Sequence, residues 1–585
     1  MDEPAHVRGR GGKDSERQPH PLLRGAVIMA ELSYAPIMRP GVDPHTAPNK
    51  PPLPPIDYAL RHEAGLVIER NVAIPLRDGV RIYADIYRPE GPRGEADLPV
   101  LLSWSPYGKH AQSNQVFWPR SGVNPEWLSP LTPFEGADPV KWGALGYAVV
   151  VVDPRGAWLS EGDFHHNGAV EAKDCADTIN WLADQPWSNG KVGMTGVSYL
   201  AAIQFWVAAL NPPALTAINP WEGFTDWYRE FAYHGGILET GFLPRASDNI
   251  RFSLNHTEDT WENAQAHPLM DAFWHSKEID LAAIRTPAWV VASWSDQGLH
   301  TRGTLEAFKA MSSPRKWLDV HGQKKWAHYY LAQSQARREA FFDHFLKDRQ
   351  TALAAWPPVR IEVRERHGEA VERAEQEWPL ARTAPTPLWL HADGTLNADR
   401  PDGSAAIAYD ATAGEAVFDH RFEQDTELTG HASLRLWVEA DGSDDMDLFV
   451  ALQKLDRDGQ PLGQTFYAFF EDGPVALGWL RASHRETDPS RSTPLQPFHT
   501  HVREQRLAPG DIVPVNIEIW PSSTLFRAGE TLRIVIKGAD IYAEGVPFLP
   551  FARHEATHNA GRHIIHIGPE HDSHLLVPVV PAAEG

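Results

Sequence analysis

The sequence predicts an α/β domain built on a parallel sheet, followed by an all-β sandwich. Three observations predict it. Unbroken apolar runs at 98–104 and 148–153 suit parallel strands buried on both faces. Strand-like runs then alternate with helical patterns as far as residue 346. Beyond Asp348 the helical patterns stop, and short strand-like runs separated by turn signals take over.

Taken in order, residues 67–75 and 80–87 alternate in the strand manner around Arg77-Asp78-Gly79, which makes a hairpin. A short helix at 141–146 separates the two apolar strands, and a helix at 174–185 follows them. A strand then leads into an apolar helix at 201–210 and a further strand at 215–219. Residues 221–284 break this rhythm; they are aromatic and mostly helical in pattern, and read as a cap inserted into the sheet domain. The sheet resumes with strands at 288–293 and 316–320, a helix at 301–311 between them, and a closing helix at 333–346. Runs at 359–363, 386–390, 434–440, 447–452, 513–520, 531–537 and 561–567 are the strands of a jelly roll. The expected boundaries are a disordered N-terminus and Pro-rich arm over 1–60, the sheet domain over 61–220 and 287–352, the helical cap over 221–286, and the sandwich over 353–585. The Pro-rich stretch reads as an extended arm rather than a packed element, and Met29 is an alternative start.

Composition excludes several functions. A net charge of −23, spread without an acidic tail, argues against nucleic acid, whose phosphates would be repelled. No apolar run approaches the roughly 18–20 residues that span a bilayer, so no membrane partner is expected. A single cysteine, Cys175, leaves no disulfide framework and no cysteine-based zinc site; it reads as a small hydrophobe on a helix. The N-terminus lacks the apolar core of a secretory signal, and the default location is cytoplasmic. Neither a metal nor an organic cofactor is expected. The arm could reach a neighbouring copy, so a homo-oligomer stays open.

Chemistry concentrates in Gly196-Val197-Ser198-Tyr199, which stands between a strand and an apolar helix. This is the layout of a nucleophile elbow, where a strained turn pushes a serine hydroxyl into the open. The helix start behind Ser198 offers N–H groups and positive potential to a developing oxyanion. Taken alone, such a string also fits an ordinary turn before a helix, and Leu200 stands where Gly-x-Ser-x-Gly has its second glycine. Downstream, the strand at 288–293 runs into Trp294-Ser295-Asp296, which puts Asp296 at the C-terminal strand end where open α/β sheets hold their sites. A turn or N-cap aspartate is the plainer reading. With Ser198, Asp296 makes the first two members of an α/β-hydrolase triad in the order Ser, acid, His. The histidine is left between His321, directly after the next strand, and His328; His300 reads as capping or packing on its own helix.

With these motifs in hand, the chain resembles the cocaine esterase / Xaa-Pro dipeptidyl-peptidase family of serine hydrolases from about Val67 to its C-terminus. The family's elbow Gly-x-Ser-Tyr-x-Gly stands here as Gly196-Val197-Ser198-Tyr199-Leu200-Ala201, with no glycine needed at 200 and alanine in place of the last one. Its opening motif matches from Asp78-Gly79 through Asp85 to Pro89, and its Asp-x-Arg-Gly segment matches Asp153-Pro154-Arg155-Gly156 with Ser160 and Gly162. Trp294-Ser295-Asp296, Phe341-Phe342-Asp343 with Leu346-Lys347, and Leu480-Arg481-Ala482-Ser483-His484 complete the set in chain order. The resemblance implies an α/β-hydrolase domain with an inserted helical cap and a C-terminal jelly roll. It also implies an oxyanion hole made by the Tyr107 hydroxyl, in Ser105-Pro106-Tyr107, and the Tyr199 N–H; a core tyrosine is the plainer reading of Tyr107. The family's Pro-Trp-x-His spacing favours His328, but Lys324-Lys325 replaces the expected residues before Trp326. A branch with Val-His-Gly followed by Lys-Trp and Tyr-Tyr fits better, which prefers His321 with His328 as the alternative.

The expected reaction is acyl transfer through an acyl-enzyme on Ser198, with an ester or a short peptide as substrate. Members selecting α-amino acid esters carry an acidic pair shortly after the catalytic aspartate; Gln297, Gly298 and Leu299 stand there instead. Glu222, Asp226 or Glu230 could substitute and revive a dipeptidyl-peptidase reading. Trp221, Phe224, Trp227, Tyr228, Phe231, Tyr233, Phe242 and Trp274 offer an aromatic wall in the cap, although such a stripe also suits a core. An inactive carbohydrate-binding protein is the alternative from a different class.

Overall fold

The structure, a computed structural model, describes residues 34–46, 57–109, 118–542 and 552–581. The expectations for residues 1–33, Met29 among them, and for most of the Pro-rich stretch lie outside the described residues.

The first domain is a twisted sheet whose strands neighbour one another in the order Ala59–Glu63, Leu66–Pro75, Arg81–Pro89, Ala148–Asp153, Leu98–Trp104, Ser188–Val197, Leu215–Trp221, Ala288–Ser293, Lys316–His321, Val359–Arg366 and Glu369–Glu375. All strands from Ala148–Asp153 to Val359–Arg366 run parallel. Their apolar runs are continuous because both faces are covered. Val149 and Val151 enter one core cluster with the helix residues Phe341, Phe342 and Phe345. Ala148, Val150 and Val152 enter the other, with Ile179 and Cys175 of the helix Ala169–Ala183 and Ile203 and Phe205 of the helix Tyr199–Ala209.

At the domain border one strand has a second set of partners beyond the sandwich. The strand Val359–Arg366 joins both sheets: it pairs in parallel with Lys316–His321 through Leu318 and Val359, and with Val513–Phe526 of the sandwich through Arg364 and Thr524. Val359, Ile361 and Val363 pack into the same cluster as Val290 and Val320.

The motif residues around the sheet are largely tied to one another. Arg155 bonds Asp78 at 2.8 Å and Asp174 at 2.6 Å, all three side chains being buried, and so clamps the hairpin turn to the helix Ala169–Ala183. Ser160 donates from Oγ to the Asp153 carbonyl at 2.8 Å and accepts from the Tyr83 N–H at 3.1 Å. Tyr147 donates to Asp343 at 2.7 Å.

The insert between Trp221 and Ala288 is less helical than expected. It holds short helices at Phe242–Asn249, Thr260–Ala266 and Ala272–His275, a π-helical turn at Tyr228–Ala232, and a two-stranded hairpin of Tyr233–His234 with Ile237–Leu238. Nor is the described part of the arm unpacked: Met38–Pro40 pairs antiparallel with His256–Glu258 of the insert.

The C-terminal domain is all β. Thr426–Asp441 pairs with Val513–Phe526, Arg562–Ile567 and His574–Val580; Thr531–Lys537 pairs with Glu415–Arg421 and Asp447–Leu455. Leu434, Leu436, Leu448, Val450, Ile517 and Ile534 fill the space between the layers. Among the described residues, no helix is long and apolar enough to cross a membrane.

Candidate active site

The elbow forms where the sequence places it. The strand Ser188–Val197 lies between Leu98–Trp104 and Leu215–Trp221, and the helix Tyr199–Ala209 starts one residue after Ser198. Ser198 has φ 59° and ψ −115°, a region that costs a non-glycine residue about 1–3 kcal/mol. Its N–H donates to the carbonyls of Trp221 and Glu222 at 3.1 and 3.2 Å, which holds the strained turn. Gly196 is required, since a Cβ there would sit 2.5 Å from Leu200 Cβ. The Tyr199 N–H is among the first amide groups of the helix, which the helix itself leaves unpaired. Its phenol points elsewhere and donates to Glu171 at 2.8 Å.

The histidine at the serine is His300. Its Nε2 lies 3.1 Å from Ser198 Oγ, and its Nδ1 is hydrogen-bonded to Asp296 Oδ2. Asp296 and His300 therefore sit four residues apart on a single turn that leaves the strand Ala288–Ser293. Gly298, at φ +89°, lets the chain double back, and the Asp296 carbonyl accepts the N–H groups of Leu299, His300 and Thr301. Burial pushes the His300 imidazole down and the neighbouring Lys325 adds to this, while Asp296 opposes both. Burial would raise the Asp296 carboxyl, but Lys325 and His300 hold it well below the usual carboxylate range.

His321 and His328 are elsewhere. His321 Nε2 lies 3.1 Å from Glu222 Oε1, its Nδ1 accepts the Gln323 N–H at 3.1 Å, and its ring stands 4.0 Å from that of His328. Neither ring is hydrogen-bonded to Ser198. The preference for His321 assumed that aspartate and histidine come from successive strands; here the histidine that touches Ser198 follows Asp296 within one turn. The spacing Asp296-Gln297-Gly298-Leu299-His300, with a glycine inside it at a strand end, was the available signal.

Ser198 and Glu135 both act on the Tyr107 phenol, and Phe134 packs edge-on against its ring at 5.0 Å. Burial raises the Tyr107 phenol far above its ordinary value, so it remains an O–H donor. Sequence reasoning passed over Glu135. Its carbonyl accepts the Val197 N–H of the elbow strand at 3.1 Å, and its Oε1 accepts the Trp326 indole N–H at 2.9 Å. Burial pushes the Glu135 carboxyl up to about 8, against the pull of Lys325, Trp326 and Tyr107. Lys325 was missed as well: its Nζ bonds Asp296 Oδ2 at 2.7 Å.

Most of the proposed aromatic wall is core. Trp221, Phe224, Trp227, Tyr228, Phe231, Tyr233 and Trp274 are buried in one cluster, and Phe242 is half-buried. Phe224 stands 6.2 Å from the His300 ring, and Phe242 faces Tyr467 at 6.2 Å. Tyr467 comes from the sandwich, and its N–H donates to the Ser295 carbonyl at 2.8 Å beside the acid.

This arrangement can be set against known proteins. The X-Pro dipeptidyl-peptidase (S15 family) profile matches residues 78–250, and that of the X-Pro dipeptidyl-peptidase C-terminal non-catalytic domain matches residues 352–576. A crystal structure of a CocE/NonD family hydrolase from Staphylococcus aureus is 41% identical, with a TM-score of 0.85 over 88% of this chain and 94% of its own. The chain belongs to the CocE/NonD hydrolase family. The cocaine esterase of Rhodococcus sp. (strain MB1 Bresler) is 27% identical, covering 88% of this chain and 98% of its own length. An aminopeptidase from a marine sediment archaeon, Thaumarchaeota archaeon, shares the fold at 18% identity and a TM-score of 0.66, over 92% of this chain and 99% of its own. The α/β sheet domain with its all-β C-terminal domain is thus the architecture of CocE/NonD hydrolases, and the chain is a serine hydrolase of the S15 type.

Proposed function

We propose that this CocE/NonD hydrolase cleaves carboxylic esters through an acyl-enzyme on Ser198, with His300 as base and Asp296 as its orienting acid. The observation that carries the reading is the 3.1 Å contact between Ser198 Oγ and His300 Nε2 at a serine held with φ 59°. Ser198 Oγ attacks the ester carbonyl carbon and its proton passes to His300 Nε2. Asp296 fixes the imidazole with Nδ1–H toward itself and stabilises the imidazolium. The Tyr107 O–H and the Tyr199 N–H receive the developing oxyanion; one such donor is worth about 2.7–4 kcal/mol of barrier in a water-poor site. The C–O bond to the leaving alcohol breaks as His300 returns the proton to it. Water then attacks the acyl-enzyme with the same base, and Ser198 recovers its hydrogen.

The acidic groups near the site support an ester over a peptide with a free amino terminus. A substrate ammonium needs an unpaired carboxylate, and the candidates are engaged. Asp226 bonds Arg229 at 2.8 Å, Glu230 bonds Arg302 at 2.8 Å, and Glu222, whose carboxylate oxygens make no hydrogen bond among the described residues, already faces the Lys325 ammonium. Gln297, where the amino-selecting relatives carry acid, spends its side chain on the carbonyls of Trp294 and Pro521 and on the Leu477 N–H.

The test compares p-nitrophenyl butyrate with Ala-Pro-p-nitroanilide on the parent and on Ser198→Ala. The expected result is turnover of the ester, lost in the variant without loss of fold, and no comparable release from the anilide. Equal ester rates in parent and variant would reject the mechanism, and faster anilide cleavage would restore the peptidase reading.

A further inference from the structure

Lys325 opens the helix Lys325–Tyr330, and its side chain is only 8% exposed. Its Nζ lies 2.7 Å from Asp296 Oδ2 and 3.3 Å from His300 Nδ1. Asp296 Oδ2 is thus shared between the imidazole and an ammonium, and its Oδ1 has no hydrogen-bond partner. Burying a lone ammonium is costly unless anions face it. Two do here, namely Asp296 and Glu222, and together they keep Lys325 charged despite its burial.

In an ordinary Ser-His-Asp triad the buried aspartate orients the imidazole through its Nδ1–H. Here a cation stands beside the same pair. Like charges in a low-dielectric site repel strongly, so the ammonium disfavours a second positive charge on the imidazole. It also restrains the carboxyl that orients the ring. His300 and Asp296 share one turn, so a hold from outside that turn fixes them relative to Ser198. The groups facing His300 are Ser198 of the elbow, Asp296 of its own turn, Lys325 of the helix Lys325–Tyr330, Glu222 at the end of the strand Leu215–Trp221, and the Phe224 ring. Tyr467 and Glu135 face Asp296 from further out.

We propose that Lys325 is a positioning residue of the triad: its ammonium pins Asp296 against His300 Nδ1 and keeps the imidazole unprotonated, so that Nε2 is free to take the Ser198 proton. This rests on His300 being the base. Removing the cation does two things with the same sign. It relieves the repulsion of the imidazolium, and it leaves Asp296 and Glu222 without their counter-charge. Both favour protonated His300, which cannot accept a proton.

The experiment is the pH profile of kcat/KM for p-nitrophenyl butyrate in the parent, Lys325→Met, Lys325→Gln and Lys325→Arg. In the Met and Gln variants the acid limb is expected to move up by at least about one pH unit, which is about tenfold in activity on that limb. The Arg variant, which keeps the cation and its hydrogen bonds, keeps the parent limb. A merely structural lysine would lower thermal stability and leave the limb where it was; an unmoved limb in Met or Gln overturns the proposal. Should neither fold, the Arg variant still decides, because a limb displaced there as the cation is retained also overturns it. Failure of the underlying reading looks different, since His300→Ala would then remain active.

Discussion

Two histidine–carboxylate pairs flank the elbow at neighbouring strand ends, His300 with Asp296 and His321 with Glu222. Both are buried, yet they address Ser198 in different ways. The first reaches the side chain, with His300 Nε2 at the hydroxyl. The second reaches the backbone, since the Glu222 carbonyl accepts the Ser198 N–H while the Glu222 carboxyl faces His321. The first pair lies on one turn and has Lys325 bonded to its carboxylate; the second bridges two strands. In the proposed mechanism similar residue types thus serve proton transfer in one place and support of a strained turn in the other, and the difference is set by where the chain turns after each strand.

Substitutions that break this contrast have graded effects. His300→Ala should lower kcat by about 10⁴–10⁶-fold with the fold intact, as removal of the base does in other serine hydrolases. Asp296→Asn, which presents the wrong tautomer partner, should cost about 10⁴-fold. Tyr107→Phe removes one oxyanion donor and should cost about 10²–10³ in kcat with little change in KM. Steady-state kinetics on p-nitrophenyl butyrate reads all three. The pH profile should show two features. Activity falls as pH drops through the His300 pKa, which lies below the ordinary imidazole value because burial and Lys325 disfavour the charged ring. It falls again as pH rises past about 8, where Glu135 ionises and sets a negative charge beside Tyr107. Glu135→Gln should abolish the alkaline decline while keeping the acid limb. His321→Gln should leave kcat/KM nearly unchanged and instead lower thermal stability, because it removes the buried ring that packs against His328 and lies 3.1 Å from Glu222. His328→Ala should change kcat/KM least of all.

The sheet was legible in the sequence because its signal is local. Ala148–Asp153 and Leu98–Trp104 are apolar at every position, as strands covered on both faces must be, and Gly196 with Ser198 marks the elbow by composition alone. The strand starting at Val359 was legible as a strand but not as a member of the first sheet, because a short apolar run carries no record of its partner. Ser198 and Asp296 were legible for the same local reason as the sheet. His300 was not, since the ring's direction depends on Gly298 folding the turn back on itself, and the reading looked one strand too far. Glu135 and Lys325 left no sequence signal. Each is a buried charge whose partners come from distant parts of the chain, and only packing brings them together.

The most direct test of the central claim is the rate at which a fluorophosphonate labels Ser198 at neutral pH in the parent, His300→Ala and His321→Gln, with the modified peptide identified by mass spectrometry. The account predicts fast labelling at Ser198 in the parent and in His321→Gln, and near-complete loss in His300→Ala. Labelling that survives in His300→Ala but is lost in His321→Gln would contradict it.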